Sequence, residues 1–95
     1  MNVLMIEKHS IPVIAPTHRF QWEEVQQCHV ILYPEGMVKL SASASEILKR
    51  CDGKMTVNEI IEDLKQQFPG AELDKDVYNF LETAHENGWI RTKPD

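Results

Sequence analysis

The stretch Val30–Gly53, VILYPEGMVKLSASASEILKRCDG, constrains the fold more than any other part of the chain. It reads as strand, tight turn, strand, capped helix and stop, with almost no linker. Val30-Ile31-Leu32-Tyr33 is β-branched and aromatic, which is strand composition. Pro34 presets φ for the first central turn position. Gly36 predicts the left-handed residue of a three-residue hairpin with a bulge. Met37-Val38-Lys39-Leu40 alternates and returns as a short strand. A hairpin that feeds straight into a helix leaves its second strand as a candidate free edge. What uses that edge is the functional question.

The rest of the chain extends this unit in both directions. Arg19–Glu24 alternates, with Phe20 and Trp22 on one face, and predicts a first strand. A turn at Val25–Gln27 leads to a second strand, His29–Tyr33, and the third is Met37–Leu40. Together they form a three-stranded antiparallel meander. Three helices follow, each with a start signal. Ser43 with Glu46 and Thr56 with Glu59 read as capping boxes, and Asp74 as the third cap. Met55 with Ile60 and Leu73 with Tyr78 are spaced as hydrophobic staples. The predicted core stripes are Ala44, Ile47, Leu48 and Cys51; Val57, Ile60, Ile61, Leu64 and Phe68; and Val77, Phe80, Leu81, Ala84 and Gly88. Asp52-Gly53, Pro69-Gly70 and Gly88 are stops. The third helix carries a second stripe, Tyr78, Leu81, His85 and Trp89, about 90° from the first. That stripe either covers the small sheet or lines a groove beside the third strand. In residues 1–18, Pro12 and Pro16 interrupt Ile11, Val13 and Ile14. The reading there is a weakly structured arm, flexible or exchanged with a neighbour, ahead of a domain at 19–95.

Three short helices with a turn before the last are also the outline of a helix-turn-helix core, and Trp89-Ile90-Arg91 would add a short wing. Charge argues against nucleic acid. The chain of 95 residues carries a net charge of -5. Its candidate recognition helix sets Asp74, Asp76, Glu82 and Glu86 against Lys75, the wrong sign for a phosphate-lined groove. The same charge disfavours an anionic membrane surface, and no apolar run approaches the ~20 residues of a spanning helix. The N-terminus, MNVLMIEKHS, lacks the basic region of a signal peptide, so the expected location is the cytoplasm. There Cys28 and Cys51 are expected to be reduced, with Cys51 packing in the core. Nucleotide-binding, zinc-protease and serine-hydrolase motifs are absent. Cys28 and His29 are adjacent, so in a strand they point to opposite faces and make a poor metal pair. The expectation is a domain without catalytic residues, metal or cofactor.

An extended peptide is the natural ligand for an exposed strand edge. It gains affinity from backbone hydrogen bonds and specificity from alternate side chains. Met37–Ser41 would supply the edge and the third helix the groove wall. Lys39 would either attract a carboxylate or guard the edge against aggregation. Proline at Val38 separates two registers. If the Val38 N–H faces the ligand, binding falls; if it pairs with the second strand, stability falls.

Joint order and spacing of several short motifs carry a family resemblance. They are Arg19-Phe20, Leu32-Tyr33-Pro34-Glu35-Gly36, Leu40, Ala44 with Ile47-Leu48, Cys51-Asp52-Gly53, Thr56-Val57 with Ile60, and Asp76-Val77 with Phe80-Leu81. From about Pro16 to Ile90 the chain resembles the pyrroloquinoline quinone biosynthesis protein D family, PqqD. Ser41 departs from the Asn frequent there, and both residues can cap a helix. The resemblance implies an α+β, winged-helix-like domain, with a three-stranded antiparallel β-sheet followed by a three-helix bundle. It also implies a peptide chaperone that binds the precursor peptide PqqA and presents it to the radical SAM enzyme PqqE. The implied peptide site is Met37, Val38, Lys39, Leu40 and Ser41 on the strand, with Val77, Tyr78, Leu81 and His85 on the last helix. Two alternatives stand beside it. One is a recognition element for another ribosomally made, modified peptide, and the other is an acidic winged-helix regulator.

Overall fold

Alternation and capping decide where the elements of the computed structural model begin and end; it describes residues 6–70 and 72–93. In chain order they are β1 (Ile11–Ile14), β2 (Arg19–Glu23), β3 (Cys28–Tyr33), β4 (Gly36–Lys39), α1 (Ala42–Lys49), α2 (Val57–Gln67), α3 (Asp74–Glu86) and β5 (Ile90–Lys93). They build an α+β domain with three helices and two antiparallel sheets, β2-β3-β4 and β1-β5. The predicted meander is present, and among the described residues β4 pairs with β3 alone.

The hairpin between β3 and β4 is tighter than expected. Tyr33 pairs directly with Gly36, so the loop is only Pro34-Glu35. Gly36 does not have positive φ. The expected bulge is absent, because Pro34 and Glu35 close the turn and Gly36 already belongs to the strand. A Cβ on Gly36 would touch the Tyr33 ring, at 3.5 Å from its hydroxyl oxygen.

The larger difference is at the N-terminus. Ile11–Ile14 was expected within a weakly structured arm, yet it forms β1 and pairs with β5 of the same chain. Pro12 is compatible with this strand for a geometric reason. Ala15 donates its N–H to the Trp89 carbonyl (2.9 Å), and bonded pairs alternate along an antiparallel ladder. Pro12, opposite Thr92, therefore falls at a non-bonded position, where its missing N–H would point away from β5. Its carbonyl accepts from Gly53 N–H instead (3.1 Å). Residues 8–10 are tied down as well. The Ser10 and Lys8 carbonyls accept from Val57 and Asn58, satisfying two donors at the start of α2. Residues 1–5 lie outside the described residues.

Two of the three predicted caps move. At α2 the capping box forms as expected: Thr56 Oγ1 accepts from Glu59 N–H, and the Glu59 carboxylate accepts from Thr56 N–H. At α1 the cap is Ser41, whose hydroxyl accepts from Ala44 N–H (3.1 Å), and not Ser43. The reason is the hairpin. Leu40 N–H is still bonded to the His29 carbonyl, so the strand hands over to the helix at Ser41 and Ser43 is already helical. Ser41→Ala is therefore expected to cost about 1 kcal/mol and Ser43→Ala less than about 0.5 kcal/mol, read from urea unfolding midpoints. At α3, Asp74 is the first helical residue and Leu73 precedes it with no side-chain cap. Asp74 instead pairs with Lys65 of α2 (3.0 Å).

The core lies between the helices and one face of the three-stranded sheet. Ile31, Leu40, Ile47, Leu48, Val57, Ile60, Ile61, Leu64, Val77, Leu81, Ala84 and Ile90 are buried together with Ile6. Phe68, predicted for the same stripe, lies at the α2 C-terminus and is 46% exposed. Cys51 is buried, and burial pushes its thiol up to about 12, so thiolate chemistry is suppressed there. Arg50 joins the first two helices. Its Nε donates to Asp63 (2.6 Å), and its Nη1 donates to the Glu46 carbonyl (2.6 Å) and carboxylate (3.1 Å). Hydrogen bonds from Lys49 and Arg50 hold the Glu46 carboxyl below the usual range. Among the described residues, no helix is long and apolar enough to cross a membrane.

Candidate functional site

Among the described residues, strand β4 leaves one edge of its sheet unpaired, and the ladder determines which backbone groups that edge offers. Leu40 N–H donates to the His29 carbonyl at 3.0 Å, which makes 29/40 a bonded pair. Stepping back along the register, Ile31/Val38 and Tyr33/Gly36 are bonded pairs, while Val30/Lys39 and Leu32/Met37 are not. The N–H and C=O groups of Met37 and Lys39 therefore point outward, and those of Val38 point inward to β3. Side chains follow the opposite logic. Val38 is half-buried and packs on the core, Leu40 is buried, and Met37 and Lys39 lie exposed on the other face.

Two cavities flank the run from β4 into α1, one lined by Val38 and the other beginning at Ser41. The larger, about 620 Å³, is framed by Ser41–Ala44 at the start of α1 and by Asp76, Val77 and Phe80 of α3, with Leu64, Phe68 and Leu73 closing its far side. Its walls are mainly apolar, with Asp76 and Glu46 as the acidic members. The smaller, about 410 Å³, sits under the β3–β4 hairpin between Val38, Tyr33 and Glu35 on one side and Asn87 and Trp89 on the other; His18 completes it. The His18 ring stacks on Tyr33, with centroids 5.7 Å apart. Phe80 of the larger cavity and Trp89 of the smaller are in contact, with ring centroids 6.4 Å apart. An aromatic wall thus connects the two hollows along α3.

The residues predicted for a site separate into three groups. Met37, Lys39 and Ser41 lie on or at the end of the open edge, with Val38 and Val77 lining the cavities beside it. Leu40 and Leu81 are buried members of the core. Tyr78 and His85 line neither cavity. Tyr78 packs against the core, and burial with Asp74 nearby pushes its hydroxyl pKa up. The wall of α3 that meets the larger cavity is thus Asp76-Val77-Phe80, not the Tyr78–His85 flank. Sequence reasoning had placed Phe80 in the core stripe. Asp76 and Phe80 lie four apart on one helical face, which is the signal that could have found them. Tyr33 and Glu35 carry only a folding role in the sequence, whereas Trp89 belongs to the second stripe of the third helix, which either covers the sheet or lines a groove, and it borders the smaller cavity.

An open strand edge, a mainly apolar groove beside it and an aromatic wall are the features of modules that take up an extended peptide as an added strand. A solved structure shares this architecture. The solution NMR structure of the PqqD truncation of Methylobacterium extorquens PqqCD superposes with a TM-score of 0.74 at 26% identity, covering 90% of this chain and 94% of that one. That protein is a functional, stand-alone recognition element for ribosomally synthesized and post-translationally modified peptides. The model of the family of coenzyme PQQ synthesis protein D matches residues 28–90. The PqqA binding protein of Acinetobacter baylyi is 53% identical over 83 residues, 86% of this chain and 84% of the relative. The PqqA binding protein of Pseudomonas paraeruginosa is 51% identical over 82 residues, covering 85% and 89%. The chain belongs to the PqqD family.

Proposed function

We propose that this protein binds the precursor peptide PqqA as an added strand on β4 and presents it to the radical SAM enzyme PqqE, without catalysing a reaction itself. The observation that carries the peptide reading is the outward-facing backbone of Met37 and Lys39 on a strand whose Val38 lines one cavity and whose continuation at Ser41 lines the other, walled by Phe80. The named relatives supply the peptide's identity: they are PqqA binding proteins. Each backbone hydrogen bond to the edge contributes about 0.5–1.5 kcal/mol net, so a short strand plus one or two buried side chains reaches roughly micromolar affinity. In this reading the helices and the β1–β5 ribbon form a winged-helix-like scaffold. The site is Met37, Lys39 and Ser41 with Val38, Val77 and Phe80, and the protein works in the cytoplasm.

Titration of the isotope-labelled chain with synthetic PqqA, followed by NMR, tests the reading. Shifts should concentrate at Met37–Ser41 and at Phe80. Absence of binding at roughly tens of micromolar peptide, with and without PqqE, would overturn it. A recognition element for another modified peptide would bind its own precursor in the same groove and reject PqqA.

A further inference from the structure

The two cavities differ in chemistry. The larger offers mainly carbon: Ala44, Ile47, Leu64, Val77 and Phe80 surround it. The smaller combines the rings of Tyr33, Trp89 and His18, the last stacked on Tyr33, with the Glu35 carboxylate and the Asn87 amide. No lysine or arginine lines either one. Glu35 is exposed at the hairpin turn and, among the described residues, its carboxylate makes no hydrogen bond or ion pair; the same holds for the Asp76 carboxylate beside the larger cavity. Aromatic faces together with an unengaged carboxylate are what a primary ammonium or a guanidinium seeks, because ring quadrupole and carboxylate attract the same charge.

Spacing links the two hollows. Val38 borders the smaller cavity and Ser41–Ala42 the larger. A strand laid along this edge advances about 3.3 Å per residue, and alternate residues face the groove. Side chains four apart point the same way and stand about 13 Å apart on an added strand, and Val38 and Ala42, which border the two cavities, are themselves four residues apart in the chain. Resting on the peptide-binding reading above, we infer that the groove reads two side chains of the bound segment: a large apolar one in the cavity at the start of α1, and a lysine or arginine four residues away, held by Glu35, Tyr33 and Trp89. The remaining residues of the segment contribute backbone bonds and little selection.

Calorimetric titration of the full chain with synthetic PqqA at low and high salt tests this. Glu35→Gln is expected to weaken binding about tenfold, equivalent to about 1.4 kcal/mol, and to flatten its salt dependence. Glu35 lies in an exposed turn, so thermal unfolding of this variant should match the parent. Glu62→Gln, on the exposed face of α2, should leave affinity unchanged. In the peptide, one lysine or arginine changed to glutamate should reproduce the loss, and Glu35→Lys should restore binding to that peptide alone. The apolar residue most sensitive to alanine should lie four positions from it. Affinity within twofold of the parent for Glu35→Gln, or a most sensitive apolar residue at any other spacing, overturns the inference while leaving strand addition intact. A parent chain that binds no PqqA removes the peptide reading and this inference together.

Discussion

Replacing Val38 with proline is expected to destabilise the domain sharply, whereas Lys39→Pro leaves stability almost unchanged and weakens peptide binding at least about tenfold. The two positions are adjacent and differ only in where the N–H points. Val38 N–H lies in a bonded pair with Ile31, and its side chain packs on the core. Proline there removes a ladder bond and buried contacts, a loss of about 2–4 kcal/mol. A domain of this size holds roughly 5–14 kcal/mol in total, so the variant should show a much lower urea midpoint. Lys39 N–H faces outward, so proline costs the free protein little. It removes a donor from the edge and leaves a peptide carbonyl unpaired, which should weaken binding at least about tenfold. Urea unfolding and calorimetric titration of both variants check the pair. A stable Val38→Pro that fails to bind would reverse the register.

Leu81→Ala and Phe80→Ala form the second contrast. Leu81 is fully buried, and its truncation should cost about 3 kcal/mol and lower Tm by about 10–20 °C. Binding by the fraction that remains folded should be almost unchanged. Phe80 is half-buried and contributes to the groove wall with Trp89. Phe80→Ala should cost about 1–2 kcal/mol in stability but weaken PqqA binding about tenfold or more. Differential scanning fluorimetry and titration below the lower Tm separate the effects. Equal loss of binding in both variants would mean that the groove wall lies on the Leu81 side.

These contrasts also mark how far the sequence alone could be followed. The meander, the order of three helices and the open edge at β4 were legible because each rests on local chemistry: β-branched runs, a proline turn and the Thr56 capping box. Strand β1 was not. Its signal is the pairing of Ile11–Ile14 with Ile90–Lys93, and local propensity saw only the prolines. The cap of α1 was displaced because three serines, Ser41, Ser43 and Ser45, each suit a helix start; the reach of the β3–β4 ladder selects the first. The candidate edge was readable for the same reason. A strand edge follows from topology, but which flank of α3 lines the larger cavity depends on the helix's rotation. Apolar residues spread widely around α3, so periodicity could not choose between the Phe80 and the Tyr78 flanks.

The β1–β5 ribbon has a kinetic consequence. Its pairs join residues about eighty positions apart, such as Ile11 with Lys93, whereas each pair in the β2-β3-β4 meander spans a short loop. Closing so long a loop carries a large chain-entropy cost before any contact rewards it. The meander and the helices packed on it are therefore expected to form first, with β4 in place, and the ribbon to close last. Amide exchange in Ile11–Ile14 and Ile90–Lys93 should then report a partial opening that leaves the β3–β4 ladder protected. The molecule would keep its docking edge even in the moments when its two ends come apart.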